Sequence, residues 1–447
     1  MLSCIALDLH DQPIKDWRRD DEKFIETEAA KQVETQLGKS NCVLVVGPSG
    51  IGKSSIVRHL ALKLCDNNQY HIIPVIDHDD IHQFYNQKRK QLFVIDDLWG
   101  KKSININQYN YAINVKFLFA VDIDLYKDST FNSLQSYVCD ISNWPLNHQD
   151  KIEMNKNYIS PESQTKLAQK LDNLLKSDEV YFPLLCKIAE EKTAEQIIML
   201  FSNLDDFIKQ EFLALKDTNN LYFCIITLCA LLNNRFKEEI LSDKYDSNVE
   251  TEAFANICKE FNLGKHQESA KYKIKEHLEN LEGTYLTKTA NYYRFIHSKV
   301  YHIAVLVCGQ ACVQSFTKFV RSSCIAERFC FASVITENTG EFILIDKSED
   351  KNYFDRLILD LEQGITYSTF HNSQLKYPSY REKFISYFRN RRPKVIEILN
   401  TCKRNSDTQS TQLNNNEYED YIDFKQNHFS SHKVRKPLIE SAWEGFR

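Results

Sequence analysis

CVLVVGPSGIGKSS, residues 42–55, is an apolar run (Cys42–Val46) that breaks into Gly47, Pro48, Ser49, Gly50, Ile51, Gly52, Lys53, Ser54 and Ser55 and then into a helical pattern. The spacing is GxxxxGK[ST], the phosphate-binding loop, in the strand–loop–helix setting that gives the motif its meaning. Glycines let the backbone curl until successive N–H groups face the same phosphate oxygens, and the following helix adds its positive N-terminal end. Lys53 then supplies a point charge for the β- and γ-phosphates, and Ser54 a hydroxyl for Mg2+. The chain has 11 glycines in all, and Gly47, Gly50 and Gly52 crowd this one turn.

Around the loop, apolar runs of strand length recur at Cys42–Val46, His71–Ile76, Gln91–Ile95, Lys116–Ala120 and Ser136–Ile141. Helical pattern follows the first, over Ser55–Leu64, and helix-like or loop segments separate the others. Strands alternating with helices predict a parallel, helix-covered α/β sheet, the core of a P-loop NTPase. The third run ends in LFVIDDLWG, residues 92–100. An apolar strand closing on a carboxylate, some forty residues after a phosphate loop, reads as a Walker B strand. Asp96 would hold the Mg2+ that Ser54 also binds, and Asp97 would orient or deprotonate the attacking water. The alternative for both is a strand that simply enters an acidic turn.

At 447 residues the chain is too long for one ordinary core, so two to four domains are expected. A hydrophobic content of 43% is ample for buried cores, and a net charge of −5 argues against a broad nucleic-acid surface. The 13 cysteines include no CxxC pair, and no basic N-terminal signal precedes them, which predicts reduced thiols in the cytosol. The longest apolar run, Leu221–Leu232, is too short for a bilayer, so no membrane span is expected.

Upstream of the loop, residues 1–38 are polar, with one helix expected over Phe24–Leu37; the core should occupy 39–145. From residue 146 apolar residues recur at three- and four-residue spacing, as in Ser163–Leu175, Ala194–Phe201, Asp205–Leu215 and Asn220–Leu232. Residues 283–296, GTYLTKTANYYRFI, interrupt this with two β-rich arms after a helix, Tyr272–Leu281, as in a winged-helix domain. The expected divisions are a helical lid over 146–218, a winged-helix-like domain over 219–309 and a helical domain over 310–402. Residues 403–434 are polar and lack aliphatic pattern, which predicts a disordered linker. Residues 435–447 contain KPLIESAWEG, which fits the opening of an ankyrin repeat. One third of a repeat cannot bury its own face, so the chain reads as a fragment of a longer repeat protein.

Together the loop GPSGIGKSS and the strand LFVIDDLWG resemble those of STAND-class NTPases. The resemblance is strongest to the novel STAND NTPase 3 family, of the invertebrate, molluscan type that ankyrin repeats normally follow. It extends through Phe24–Ala29, Tyr181–Cys186, Leu281–Tyr285, Phe295–His297 and Thr369–Gln374. It implies an ATP/ADP- and Mg2+-binding signalling switch in the cytoplasm, with a place in innate immunity, that self-associates when an unidentified protein or ligand triggers exchange of ADP for ATP. Phe182-Pro183-Leu184 is similar to the Gly-Leu-Pro-Leu motif of NB-ARC proteins, whose proline packs on adenine. His297 stands where those proteins have the histidine of Met-His-Asp, which contacts the β-phosphate of ADP; Ser298 replaces the aspartate, implying a weaker clamp. A helix-N1 role for Pro183 and a wing-strand end for His297 are the plain alternatives.

The chain departs most from the family on the fourth strand. Relatives end it in an arginine that reaches the γ-phosphate, whereas here FLFAVD, residues 117–122, puts Asp122 at that position. A carboxylate there would repel the γ-phosphate, so binding survives more easily than hydrolysis, and the resemblance leaves weak ATPase activity open. The plain alternative is a register off by a residue or two, with Asp122 or Asp124 a surface carboxylate at a strand end. The rival reading is a nucleotide-locked, hydrolysis-deficient scaffold. A small-molecule kinase, which shares the loop, would need a compact chain with a basic lid. His78 and His82 have metal-like i,i+4 spacing in an acidic loop, and Arg389, Arg391, Arg392 and Lys394 form a short basic cluster that reads as a solvated helix end.

Overall fold

The computed structural model describes residues 2–75, 79–86, 88–96, 114–126, 135–175, 181–242, 248–263, 267–289, 292–334 and 340–389. Asp97, His78, Arg391, Arg392, Lys394, the expected linker and the ankyrin-like segment lie outside the described residues. The described chain forms two compact units, divided between Phe207 and Ile208.

The first unit begins with α1 (Leu2–Asp21) and α2 (Glu28–Lys39). Sequence pattern predicted one helix here, starting at Phe24. Instead Thr27 ends the approach, its side chain accepting a hydrogen bond from the Ala30 N–H at 3.3 Å, so the helix starts one turn later. Then come β1 (Cys42–Gly47), α3 (Lys53–Asn68), β2 (His71–Pro74), α4 (Asp79–Phe84), β3 (Gln91–Asp96), β4 (Val115–Asp122), α5 (Ile123–Tyr126) and β5 (Val138–Asp140). After the sheet the chain is helical: α6 (His148–Tyr158), α7 (Pro161–Leu175), α8 (Phe182–Ala189) and α9 (Ala194–Ser202), with α10 (Leu204–Thr218) crossing the division between the units.

The five strands pair in parallel, in the order β2-β3-β4-β1-β5. β1 is buried along its whole length, as its unbroken apolar sequence requires of a central parallel strand. Alternate residues feed two cores. Val43, Val45, Leu92, Val94, Leu118 and Ala120 face one that contains Val33, Ile56 and Leu60 of α2 and α3. Leu44, Val46, Phe93, Ile95, Phe117 and Phe119 face the other, with Ile81 of α4. β1 sits between β4 and β5, so the carboxyl ends of β1, β3 and β4 open where the strand order reverses, the place at which open α/β sheets take ligands.

The second unit starts from α11 (Asn220–Leu231), apolar all round and almost wholly buried. β6 (Phe236–Lys237), α12 (Asn248–Glu260), α13 (Gln267–Leu281), β7 (Leu286–Thr289) and β8 (Tyr292–Phe295) follow, and the strands form an antiparallel sheet in the order β6-β8-β7. Beyond them lie α14 (Ser298–Ala311), α15 (Val313–Phe319), α16 (Ser322–Arg328), β9 (Phe329–Phe331), β10 (Ile343–Ile345), α17 (Asp350–Glu362), α18 (Tyr367–Phe370) and α19 (Pro378–Arg389). Within the stretch expected as a helical domain, 310–402, β9 and β10 add a short parallel pair that the sequence reading did not place. Among the described residues no single helix is long and apolar enough to cross a membrane.

Candidate functional site

The turn from β1 into α3 sets the geometry. Gly50 and Gly52 have φ of +86° and +99°, a region that side chains disfavour, and Gly52 is the cap from which α3 starts. A left-handed residue at that point brings Lys53 back beneath the loop. Its ammonium donates to the carbonyls of Gly47 at 2.9 Å and Pro48 at 2.7 Å, and the side chain is buried. Ser49 and Ile51 complete the loop, half-buried, while Ser55 is exposed on the first turn of α3.

One residue on, Ser54 donates its hydroxyl to Asp96 Oδ1 at 2.7 Å. β4 separates β1 from β3, so this contact spans a strand, and it brings the loop and Asp96, at the end of β3, into one site. Two hard oxygen donors at the mouth of the loop fit Mg2+, which takes few protein oxygens where phosphates and water complete its shell. Asp96 has a second partner that the sequence reading missed. Arg58 reaches Oδ2 through Nη2 at 2.6 Å and Nε at 3.1 Å. The signal was present, since Ser54 and Arg58 are four apart on one helix and therefore share a face.

Asp122 ends β4 in register with Gly47. Its side chain is buried rather than at the surface, and Oδ2 lies 3.8 Å from Lys53 Nζ. Pro183 stands in the first turn of α8, where the missing N–H costs nothing, and it also borders the loop: a Cβ placed on Gly52 would lie 3.8 Å from its Cγ. The first unit thus brings together the loop, Asp96, Asp122 and Pro183. His297 belongs to the second unit, where it caps α14; its Nδ1 accepts the Lys299 N–H at 3.0 Å, which fixes the proton of a neutral ring on Nε2.

Behind the site, α1 is fastened to the outer face of α3. Trp17 packs its ring 5.5 Å from the Arg58 guanidinium, Asp21 meets His59 Nδ1 at 2.9 Å, and Arg18 forks onto Asp66 at 2.7 and 2.9 Å. Phe24 stacks on the His59 ring at 4.1 Å.

Residues 24–117 match the sequence model of the family described as Novel STAND NTPase 3. The stretch contains the loop, Arg58 and β3, and the match supports the family resemblance over those residues. No curated protein matches the chain. Among solved structures, the Walker-type ATPase of Pyrococcus abyssi is similar at 11% identity and a TM-score of 0.26, over 63% of this chain and 95% of that one. AMPPCP-bound DnaA from Aquifex aeolicus is similar at 16% identity and 0.26, over 58% and 90%. A signal transduction ATPase with numerous domains (STAND) from Pyrococcus horikoshii, carrying a tetratricopeptide repeat sensor, is similar at 13% identity and 0.34, over 95% of this chain and 66% of that one.

Proposed function

We propose that the chain is a nucleotide-binding signalling NTPase of the STAND type, an ATP/ADP-dependent conformational switch whose open form self-associates. The observation that carries the reading is the 2.7 Å contact between Ser54 and Asp96 beneath a glycine-shaped loop: phosphate cradle and metal-binding oxygens are assembled at one strand edge. Backbone N–H groups of the loop and the start of α3 would hold the β-phosphate, and Lys53 would neutralise it. Ser54 and Asp96 would hold Mg2+, which would supply neutralisation of the phosphate charge. Pro183 would pack on the base. The order α11, β6, α12, α13 and the β7–β8 hairpin is read as a winged helix, in which His297 would sense the diphosphate.

A second reading is the nucleotide-locked scaffold, and Asp122 favours it. A buried carboxylate beside Lys53 adds negative charge where a γ-phosphate would come closest, which opposes hydrolysis more than diphosphate binding. Single-turnover assays separate the readings: any chemical step faster than nucleotide release makes the chain an enzyme.

The binding claim is tested by identifying the nucleotide that co-purifies with the protein and by melting curves. At a hundred times its Kd, a nucleotide adds about 2.7 kcal/mol to the folded state, so ADP should raise the Tm of wild type clearly. Lys53→Ala should lose that shift. Equal shifts in both proteins would remove the loop from the binding site.

A further inference from the structure

Arg58 has no part in the phosphate-loop motif, yet its contacts are those of a built component. The guanidinium makes two charge-assisted hydrogen bonds that converge on Asp96 Oδ2, from Nη2 at 2.6 Å and Nε at 3.1 Å, and hydrogen bonds between ionised partners are stronger than neutral ones. The pair is sheltered, with the two side chains 25% and 9% exposed. Buried Trp17 of α1 packs against the guanidinium at 5.5 Å, and the neighbouring Arg18–Asp66 and Asp21–His59 contacts keep α1 on the same face of α3. The arginine is therefore held on Asp96 by a separate element.

With Ser54 on Oδ1 and Arg58 on Oδ2, both oxygens of the carboxylate that should serve the metal have hydrogen-bond donors. Resting on the reading of this site as a nucleotide site, we propose that Arg58 is a resident cation that competes with Mg2+ for Asp96, so that the site holds a nucleoside diphosphate with little dependence on the metal. Mg2+ demands near-ideal octahedral geometry and gives up water reluctantly. Here it meets a carboxylate already neutralised, beside a fixed positive charge that disfavours a dication. A diphosphate gains from that same charge. Because metal and arginine exclude each other on one group, removing the arginine strengthens metal binding; whatever factor the nucleotide then adds to metal affinity, the metal adds to nucleotide affinity.

The test uses the full chain with ADP as probe. ADP affinity is measured by calorimetry in EDTA and in Mg2+, and Mn2+ affinity of the ADP complex by electron paramagnetic resonance, for wild type, Arg58→Met, Arg58→Lys and Trp17→Leu. Wild type should bind ADP with nearly the same Kd in both buffers. Arg58→Met should bind Mn2+ at least about tenfold more tightly, the scale on which partners of metal ligands act, and its ADP affinity should become metal-dependent. Arg58→Lys, which keeps the charge but loses the converging pair of N–H donors, should fall between. Trp17→Leu leaves Arg58 in place without its support and should shift the same way, which keeps the test decisive if Arg58→Met does not fold. Identical Mn2+ affinities across the folded variants, or strict Mg2+ dependence of ADP binding in wild type, overturn the proposal while leaving the nucleotide site standing. A wild-type chain that binds no ADP in either buffer overturns both.

Discussion

Asp122 is the residue on which chemistry and resemblance diverge. The strand register sets it opposite Gly47, and its carboxylate lies 3.8 Å from the Lys53 ammonium, which also holds two loop carbonyls. A phosphate entering the loop must compete for that lysine with a buried anion, and a triphosphate must bring more charge against it than a diphosphate. Asp122→Asn keeps the shape and removes the charge. Calorimetry should then show ATP affinity rising more than ADP affinity, by about tenfold for each 1.4 kcal/mol of repulsion relieved. The apo protein should lose stability, because the substitution leaves a buried ammonium with less compensation. Unchanged affinities for both nucleotides would show that Asp122 faces away from the phosphates. This residue was legible as a departure from the family, but its lysine partner was not, since only the β1–β4 register brings positions 53 and 122 together. Arg58 was missed for a different reason: motif reading stops at Ser54, although helical spacing alone carries one to the next turn.

At the scale of elements, the sheet was readable because central parallel strands, buried on both faces, must be continuous apolar runs, and each of the five runs expected overlaps one of the five strands of the sheet. β9 and β10 are three residues each, Phe329–Phe331 and Ile343–Ile345, too short to show a period of two within helical sequence. α1 was missed because it is largely polar and has Pro13 inside it; its place is set by contacts to α3 that no local pattern announces. The Arg18–Asp66 contact titrates, and so does the Lys63–Glu26 pair that ties the turn after α1 to α3. The hydrogen bond from Arg18 holds the Asp66 carboxyl below the usual range, and that from Lys63 does the same to Glu26, just before α2. A folded-state value lowered in this way gives stability that is complete above the unfolded carboxylate value and is lost as pH falls through the folded one. The grip of α1 and its following turn on α3 should therefore loosen in acid, below about pH 4. The Arg18 and Asp66 side chains are about half exposed, so a double-mutant cycle with Arg18→Ala and Asp66→Ala should give a coupling of only about 0.2–1 kcal/mol at neutral pH. It should vanish in acid and shrink in 1 M salt, where the screening length is about 3 Å. Coupling that persists under both conditions would mean packing rather than charge fastens the helix.

For the whole molecule, the proposed switch requires that a diphosphate bound in the first unit alters the second, and the cysteines provide a reporter in each. Burial pushes the thiols of Cys42 and Cys139 in the first unit up to about 12 and about 11, and those of Cys308 and Cys324 in the second up to about 12. Since the thiolate is the reactive form, none of the four should react with an alkylating reagent at neutral pH until its surroundings open. Half-buried Cys65 on α3, less enclosed than these four, serves as the internal reference. ADP that binds the folded first unit should slow labelling of Cys42 and Cys139 by about the factor 1 + [L]/Kd, roughly a hundredfold at a hundred times Kd. If the nucleotide also clamps the second unit, Cys308 and Cys324 should slow with them, and Lys53→Ala should abolish both effects together. Mass spectrometry of the labelled peptides gives the four rates in one experiment. Slowing confined to Cys42 and Cys139 would leave a nucleotide-binding unit whose neighbour opens independently, and a ligand that does not distinguish two states of the second unit cannot switch it. In that outcome the conformational switch falls, and the nucleotide-locked scaffold becomes the reading that the buried Asp122 already favours.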